Sequence, residues 1–470
     1  MPQINLSLIK GNRQTNLDYR DNLPVNFTAV AANIKGDQGY LLTHDGLTEF
    51  AQTNGTARGG VYNERFNQHY RVSGDTFESI STDGTVTAIG VTAGDSICSF
   101  ANSFNTQAIL TDGKLYYWDN ASLIQVTDPE LGIPIDITWF AGIYVMTDGE
   151  FLFHTDIVNE QSISPLKYSS SEFSSDKILG VGRNAQNQIL AFNRFSIEWF
   201  YFNPNVPVGT SVLQVIQNKT MTIGIVGTHC KALLDEIFFI LGGRKDESPS
   251  IHAIQGGQSQ NVSNREIDKI IGKYTESQLS GVFMEARVVD RDKFIIIHLP
   301  DETLLYNHKI AQEIGVDSAW SYVKSGVDTD EVWRAKFGVF DPRAAKWIYG
   351  DILENKLAYL DQQSAAQYDD PVECICYTPI ISGVESLSID QFEIETIPGY
   401  ATIDFTSAFS MSYDGVIYGK EYWNLISKPN EYNKRYIARR LGYIRKDFNF
   451  KFRFVSPDKM AFSGLKVDVS

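Results

Sequence analysis

The sequence predicts an all-β protein: a distorted β-propeller of about six blades with a short inserted helix, followed by a C-terminal antiparallel β-sandwich. Three observations predict it. Aromatic residues make up 12% of the 470 residues, with 28 Phe and 23 Tyr. Such side chains suit half-buried pleated surfaces. Hairpin-sized apolar units recur along the first three quarters of the chain. The last hundred residues alternate apolar and polar with a period of two.

The hairpins come first in the chain. Asp-Gly between alternating apolar residues marks a two-residue turn, because a type I′ turn needs positive φ at both central positions. The dipeptide stands at Asp45-Gly46, Asp83-Gly84, Asp112-Gly113 and Asp148-Gly149. Ala108-Ile-Leu enters the third turn and Leu115-Tyr-Tyr-Trp118 leaves it; Ile143–Met146 and Phe151–Phe153 flank the fourth. Four later pairs keep the shape without the dipeptide: Ile189–Phe192 with Ser196–Phe200, Ile237–Leu241 with Ser250–Ile254, Phe294–Leu299 with Thr303–Tyr306, and Trp347–Tyr349 with Lys356–Leu360. Units recurring every ~30–45 residues are the sequence pattern of propeller blades. The rival reading is an irregular series of sandwiches.

One helix interrupts the strands. Asn264 is placed to cap it, and Ile267, Ile270, Ile271 and Tyr274 fall on one face at i, i+3, i+4, i+7, with Glu276–Leu279 as its continuation. The polar stretch Asp361–Pro371 reads as a linker. Beyond it Phe448, Phe450, Phe452 and Phe454 alternate with Asn449, Lys451 and Arg453, and Leu465, Val467 and Val469 with Lys466 and Asp468. Such strands bury one face and wet the other. The organisation expected is an extended segment over 1–30, a propeller-like body over 31–365 with its helix near 264–276, and a sandwich over 372–470 whose basic residues stand on the outer face.

The formal net charge is −16. That opposes general nucleic-acid binding, which needs a cationic footprint. The charge is uneven: Glu431–Ser470 holds ten Lys and Arg against four Asp and Glu, a net of +6, which leaves −22 for the rest. Lys434, Arg435, Arg439, Arg440, Arg445, Lys446, Lys451 and Arg453 form a basic strip with Tyr436, Tyr443 and Phe448 interleaved. Arg beside Tyr is the composition of interface anchors, so this strip is the candidate protein interface. The competing readings are a charged edge that blunts aggregation and a DNA contact.

A search for catalytic chemistry finds little. The seven histidines are scattered without H-x-x-x-H spacing, and His298 sits in an apolar run, where a satisfied strand histidine is expected. Gly180-Val-Gly182 lacks a phosphate-binding continuation. Asp328-Thr-Asp330-Glu331 opens like a calcium loop, but Val332 and Trp333 stand where a ligand and a glycine are needed, so it reads as a solvated acidic loop. Asp290-Arg-Asp292-Lys293 reads as a charged hairpin turn. Ser81-Thr-Asp83-Gly84 lacks the residue that a sialidase Asp-box places between Asp and Gly. Cys98, Cys230, Cys374 and Cys376 have no C-x₂-C spacing, and the last two share a strand face, so burial as free thiols is expected. No metal, cofactor or catalytic residue is expected. The opening Met-Pro-Gln-Ile-Asn-Leu has no basic, then apolar, leader pattern, and no apolar run reaches the ~18–20 residues that span a bilayer. Synthesis in a reducing cytoplasm and no membrane insertion are the corresponding expectations.

Several segments together resemble one family. They are Tyr19-Arg-Asp-Asn-Leu-Pro-Val-Asn26, Gly224-Ile-Val-Gly-Thr-His-Cys-Lys231, Ile267-Asp-Lys-Ile-Ile-Gly-Lys-Tyr-Thr275, Gly281-Val-Phe-Met-Glu285, Ile296-Ile-His-Leu-Pro300, Tyr413-Asp-Gly-Val-Ile-Tyr-Gly419, Leu441-Gly-Tyr-Ile-Arg445 and Phe462-Ser-Gly464. In order and spread they resemble the packaged-DNA stabilisation proteins, or tail nozzles (hubs), of short-tailed phages. Residues of about 60–180 and the loop Gly242–Pro249 match poorly. The resemblance implies a non-enzymatic virion protein that closes the DNA exit channel and retains the packaged genome. It implies a homo-hexameric ring with an adaptor above, tail fibres or tailspikes at the sides, a needle or plug below, and DNA passing without sequence-specific contact. An acidic channel would repel the phosphates and let DNA slide. The alternatives are a propeller glycosidase of a phage tail and a non-catalytic receptor-binding adhesin.

Overall fold

A computed structural model describes the whole chain except residues 1, 2, 10–21, 35, 36, 158, 208, 209, 330, 382–385, 398–400, 432–434 and 446. The sheets are antiparallel throughout, and among the described residues seven of them form blades of a propeller. Blade one holds Ala57–Asn63, Gln68–Ser73, Thr76–Ile80 and Val86–Val91; blade two Ser99–Asn102, Gln107–Thr111, Lys114–Trp118 and Leu123–Gln125. Blade three runs from Asp136–Phe140 to Ile163–Ser170, blade four from Ile178–Arg183 to Leu213–Met221, blade five from Gly224–Ile225 to Gln258–Asn261, and blade six from Phe283–Val289 to Trp320–Val323. Blade seven takes Ala335–Asp341, Lys346–Asp351 and Lys356–Asp361 from late in the chain and its outermost strand, Gly46–Gln52, from early in it. Successive blades touch through their inner strands in sequence, and blade seven touches blade one, so the ring is closed.

The seven blades are one more than the sequence period indicates, and the reason is local. The six apolar hairpins readable in sequence are the middle strand pairs of blades two to seven. The middle pair of blade one turns on Gly74-Asp75, with Gly74 at φ +58, and its strand Gln68–Ser73 carries buried His69 and Arg71. It therefore reads as polar although it is fully inside. Of the four Asp-Gly dipeptides, only Asp112-Gly113 closes a two-residue turn, with both φ positive (47° and 71°) between paired Thr111 and Lys114. Asp83-Gly84 and Asp148-Gly149 sit in longer loops, and Gly46 opens the outermost strand of blade seven.

Buried polar side chains tie neighbouring blades together near the axis. Asp136 of blade three accepts from Ser99 Oγ of blade two (3.0 Å), the Val181 amide of blade four (2.8 Å) and Lys231 Nζ of blade five (2.7 Å). Arg71 of blade one donates to the Phe337 (2.8 Å) and Ile348 (3.3 Å) carbonyls of blade seven. Glu285 of blade six accepts from the Gly338 amide of blade seven at 2.7 Å. A blade thus exchanges fixed hydrogen bonds with its neighbours as well as apolar contacts.

The helix Arg265–Ile271 is capped by Asn264, whose side chain accepts from the Ile267 amide, and it buries Ile267, Ile270 and Ile271. Glu276–Leu279 is a separate short helix with its own capping box on Thr275 and Gln278. A further helix, His308–Glu313, is capped by Asn307.

The sandwich has two sheets. One orders Phe27–Ile34, Asp37–Thr43, Ala461–Val469, Leu387–Ile397 and Tyr436–Ile444, with Gln3–Ser7 also on Ala461–Val469. The other orders Val372–Tyr377, Asn449–Ser456, Phe405–Ser412 and Tyr422–Ser427. The early hairpin 27–43 therefore lies in this sandwich. Phe448, Phe450, Phe452 and Phe454 are all buried between the sheets, in a core continuous with blades four to six. Segment 22–26 stitches the two parts: the Val25 amide donates to the Ile375 carbonyl and the Tyr322 amide to the Pro24 carbonyl.

Candidate interaction surface on the sandwich

Tyr422–Ser427 and Tyr436–Ile444 are the end strands of their two sheets, and they lie side by side at one open edge of the sandwich. Between them runs a groove of about 570 Å³. Period two explains its lining. Phe409, Met411 and Tyr413 project from one strand, Tyr422 and Asn424 from the next, and Ile437–Leu441 forms the opposite wall. Tyr413, Val416, Ile417, Tyr422, Trp423 and Tyr443 are six of the nineteen exposed large apolar side chains among the described residues. All six fall within 31 residues of sequence, and two of them, Tyr413 and Tyr422, line the groove; exposed apolar side chains with Arg at their rim have the composition of interaction surfaces.

Arg439 and Arg440 border this groove. The strand bulges there: Ile389 pairs with Gly442 but Gln391 with Arg439, so one extra residue stands on the outer strand. Arg440 adopts φ +61 and Gly442 φ +101 within that bulge. Bulges at sheet edges re-aim side chains, and a non-glycine residue held at positive φ costs about 1–3 kcal/mol. Arg439 donates to Gln391 Oε1 at 3.3 Å, and Arg435 forms a two-point pair with Glu393. Arg445 is exposed and Lys451 half-buried. Lys434 and Lys446 lie outside the described residues, as do Tyr19, Arg20 and Asp21 of the first family segment and Asp330 of the acidic loop.

Arg453 departs from the expected outer face. It is buried, and its guanidinium donates to Glu373, to Asp328 and, at 3.3 Å, to Glu421. Asn449 on the same face is buried too. The period-two reading assumes that the second face meets water, whereas here the propeller loop carrying Asp328 covers it. Arg453 therefore joins the sandwich to blade six, with Lys324 as a second cation on Glu373. Asp328 is accounted for by this ion pair.

The remaining candidates have structural partners. His298 is buried, lies 3.0 Å from Glu285 Oε1, and stacks on Trp333. His44 donates from Nδ1 to the Asp45 carbonyl (3.0 Å) and accepts at Nε2 from Arg287 (2.9 Å). Burial, reinforced by the Arg287 cation, pushes its pKa down to about 3. The four cysteines are buried free thiols, and burial pushes Cys374 up to about 12. Asp290 and Arg291 form the turn between Val289 and Asp292, with Asp290 at φ +54. Among the described residues no three of His, Cys, Asp and Glu converge as metal ligands, and no helix is long and apolar enough to cross a membrane. Of the strip named from the sequence, Arg439 and Arg440 line the groove and Tyr443 does not. The sequence reading gave Tyr413 and Tyr422 no such role, although Tyr422-Trp423 between the polar stretches Lys420-Glu421 and Lys428–Asn430 was a readable signal.

Comparison with known proteins agrees with this architecture. A family model described as the β-propeller of bacteriophage P22 Gp10 matches residues 4–365, and one described as the β-sandwich of the same protein matches residues 373–470. The tail hub protein gp10 of Salmonella phage P22 is 28% identical over 99% of both chains. Among solved structures, virginiamycin B lyase from Staphylococcus aureus is similar with a TM-score of 0.43 at 9% identity, over 67% of this chain and 98% of that one. The N-terminal domain of Nup159 follows with 0.42 at 11% identity, over 73% and 99%. Neither of these two likenesses bears on function. Propeller and sandwich are matched in the same order and over nearly the full length, and the chain belongs to the bacteriophage P22 Gp10 family.

Proposed function

We propose that this protein is a structural tail hub of a short-tailed phage: a ring-forming nozzle that extends the DNA exit channel, helps to retain the packaged genome and anchors neighbouring tail parts. The observation that carries the reading is the collinear match to a tail hub protein over 99% of the chain. The fold is compatible with it. A closed seven-bladed body with polar ties between blades is a rigid spacer, and the sandwich presents an aromatic and arginine-rimmed edge of interface composition. On this reading the chain is made in the host cytoplasm, resides in the virion tail, and acts without catalysis.

The finer features are six copies per ring, an adaptor above, fibres or tailspikes at the sides, a needle or plug below, and DNA passing an acidic wall without sequence-specific contact. A phage lacking this gene, complemented from a plasmid, tests the role. Particles made without the protein are expected to package DNA and then lose it, and complemented virions to contain the protein by mass spectrometry and to show a ring below the portal in micrographs. Virions that lack the protein yet keep their DNA and infect normally would refute it.

A further inference from the structure

The basic groove and the most acidic part of the propeller lie at opposite ends of the molecule. Blades six and seven carry the sandwich, through Val25 between Ile375 and Tyr322, the Arg453–Asp328 pair and the Lys459–Asp45 pair. In a ring of seven, blades two and three stand across the axis from that junction. Residues 107–177 of those blades hold eleven Asp and Glu against three Lys.

Connections alternate between the two faces of an antiparallel blade. The turn Asp148–Glu150 and the connectors that leave blades two and three therefore emerge on one face. Two hydrogen bonds hold them together there: Tyr168 Oη donates to the Glu130 carbonyl (2.9 Å) and the Ile178 amide to the Gly149 carbonyl (3.0 Å). This turn and these connectors carry exposed Glu130, Glu150 and Glu172 together with Ile133, 72% exposed, and Phe173, 51% exposed. The face is thus acidic with exposed apolar side chains, the complement in charge of the sandwich groove. Among the described residues Lys420 and Arg440 at the groove, and Arg445 just beyond the end of its outer strand, are exposed and have no ion pair.

We infer that the open edge of the sandwich binds the acidic face of blades two and three of the next copy of this chain. The two surfaces cannot meet within one chain, because the propeller stands between them. A contact between different patches on identical subunits is head-to-tail, and it forms a ring when the rotation closes. The strained Arg440 bulge points two guanidinium groups at the incoming carboxylates, and the aromatic groove receives the apolar residues. The inference rests on the reading of the chain as a ring-forming hub and specifies how the ring is joined.

A charge swap tests it in virions. One variant carries Arg439→Glu and Arg440→Glu; the other carries Glu130→Lys, Glu150→Lys and Glu172→Lys. Each is supplied from a plasmid to a phage lacking the gene, alone and together, and hub copies per particle are counted by quantitative mass spectrometry. Juxtaposed like charges are expected to lower incorporation of either variant alone by at least about tenfold. Supplied together, the two restore each other, because every joint then pairs opposite charges. Normal incorporation of either variant alone, or failure of both alone and mixed, would overturn the inference. Arg439→Gln with Arg440→Gln removes charge without reversal and should show an intermediate loss, while the melting curve of each purified variant should match the parent. The hub reading fails separately, if the unaltered chain is missing from virions.

Discussion

Arg453→Met separates a structural role from an interface role within the basic strip. The substitution keeps the stem and removes the charge from three carboxylates. Asp328 is 73% exposed and Glu421 32%, so each of those contacts contributes at most about 1 kcal/mol. Glu373 decides the magnitude, because its side chain is only 6% exposed and would keep Lys324 as its single cation. Breaking a buried pair costs about 3–5 kcal/mol, and a carboxylate that retains one cation belongs at the lower end, about 3 kcal/mol. The assay is urea unfolding of the full chain followed by tryptophan fluorescence. Trp423 lies 5.8 Å from the Arg453 guanidinium and reports on the junction itself. Adding Glu373→Gln and Lys324→Met to Arg453→Met should recover part of the loss, since no buried charge is then stranded. A loss below about 1 kcal/mol would place the guanidinium in solvent-screened contacts and refute the argument. So would a fully stable variant that fails only in tail assembly, which would make Arg453 an interface residue after all.

Asp136→Ala leaves Lys231 without its carboxylate among four blades and should destabilise the chain by about 3–5 kcal/mol in the same unfolding assay; Asp136→Asn, which keeps a hydrogen-bond acceptor, should cost less. Acid should weaken the fold. His44 stays neutral when folded because it is buried and its Nε2 accepts from Arg287, with a pKa of about 3, while an unfolded imidazole titrates near about 6.5. Below that pH the unfolded chain takes up a proton that the folded chain refuses. Stability is therefore full above about 6.5 and falls by about 1.4 kcal/mol per pH unit from this residue as pH drops toward 3. Urea midpoints at several pH values check this, and His44→Gln should make the slope shallower by about one proton. Gly113→Ala forces a side chain into the left-handed region at φ +71 and against Ile133, and should cost about 1–2 kcal/mol by thermal melting.

What could be read from sequence depended on whether its cause was local. Asp112-Gly113 is legible because two residues with positive φ suffice to make the turn. The identical dipeptide at 45–46 misleads because its flanking strands belong to different sheets, a choice made by partners hundreds of residues away. Blade seven hides its outermost strand for the same reason. Blade one hides because buried Arg71 and His69, which contact each other and, through Arg71, blade seven, look like surface residues until those partners are known. The basic strip shows the same rule at the candidate site. Arg439 and Arg440 stand on an end strand, where the bulge leaves both exposed, and they border the groove. Arg453 stands on an inner strand whose outer face is roofed by another part of the chain, so the same alternation put it in the wrong medium. A charge pattern thus reports exposure only where no other part of the chain covers the strand. By that criterion, of the eight strip residues, Arg439 and Arg440 are the pair with a claim to a partner, and the groove aromatics beside them are what a sequence reading should seek next.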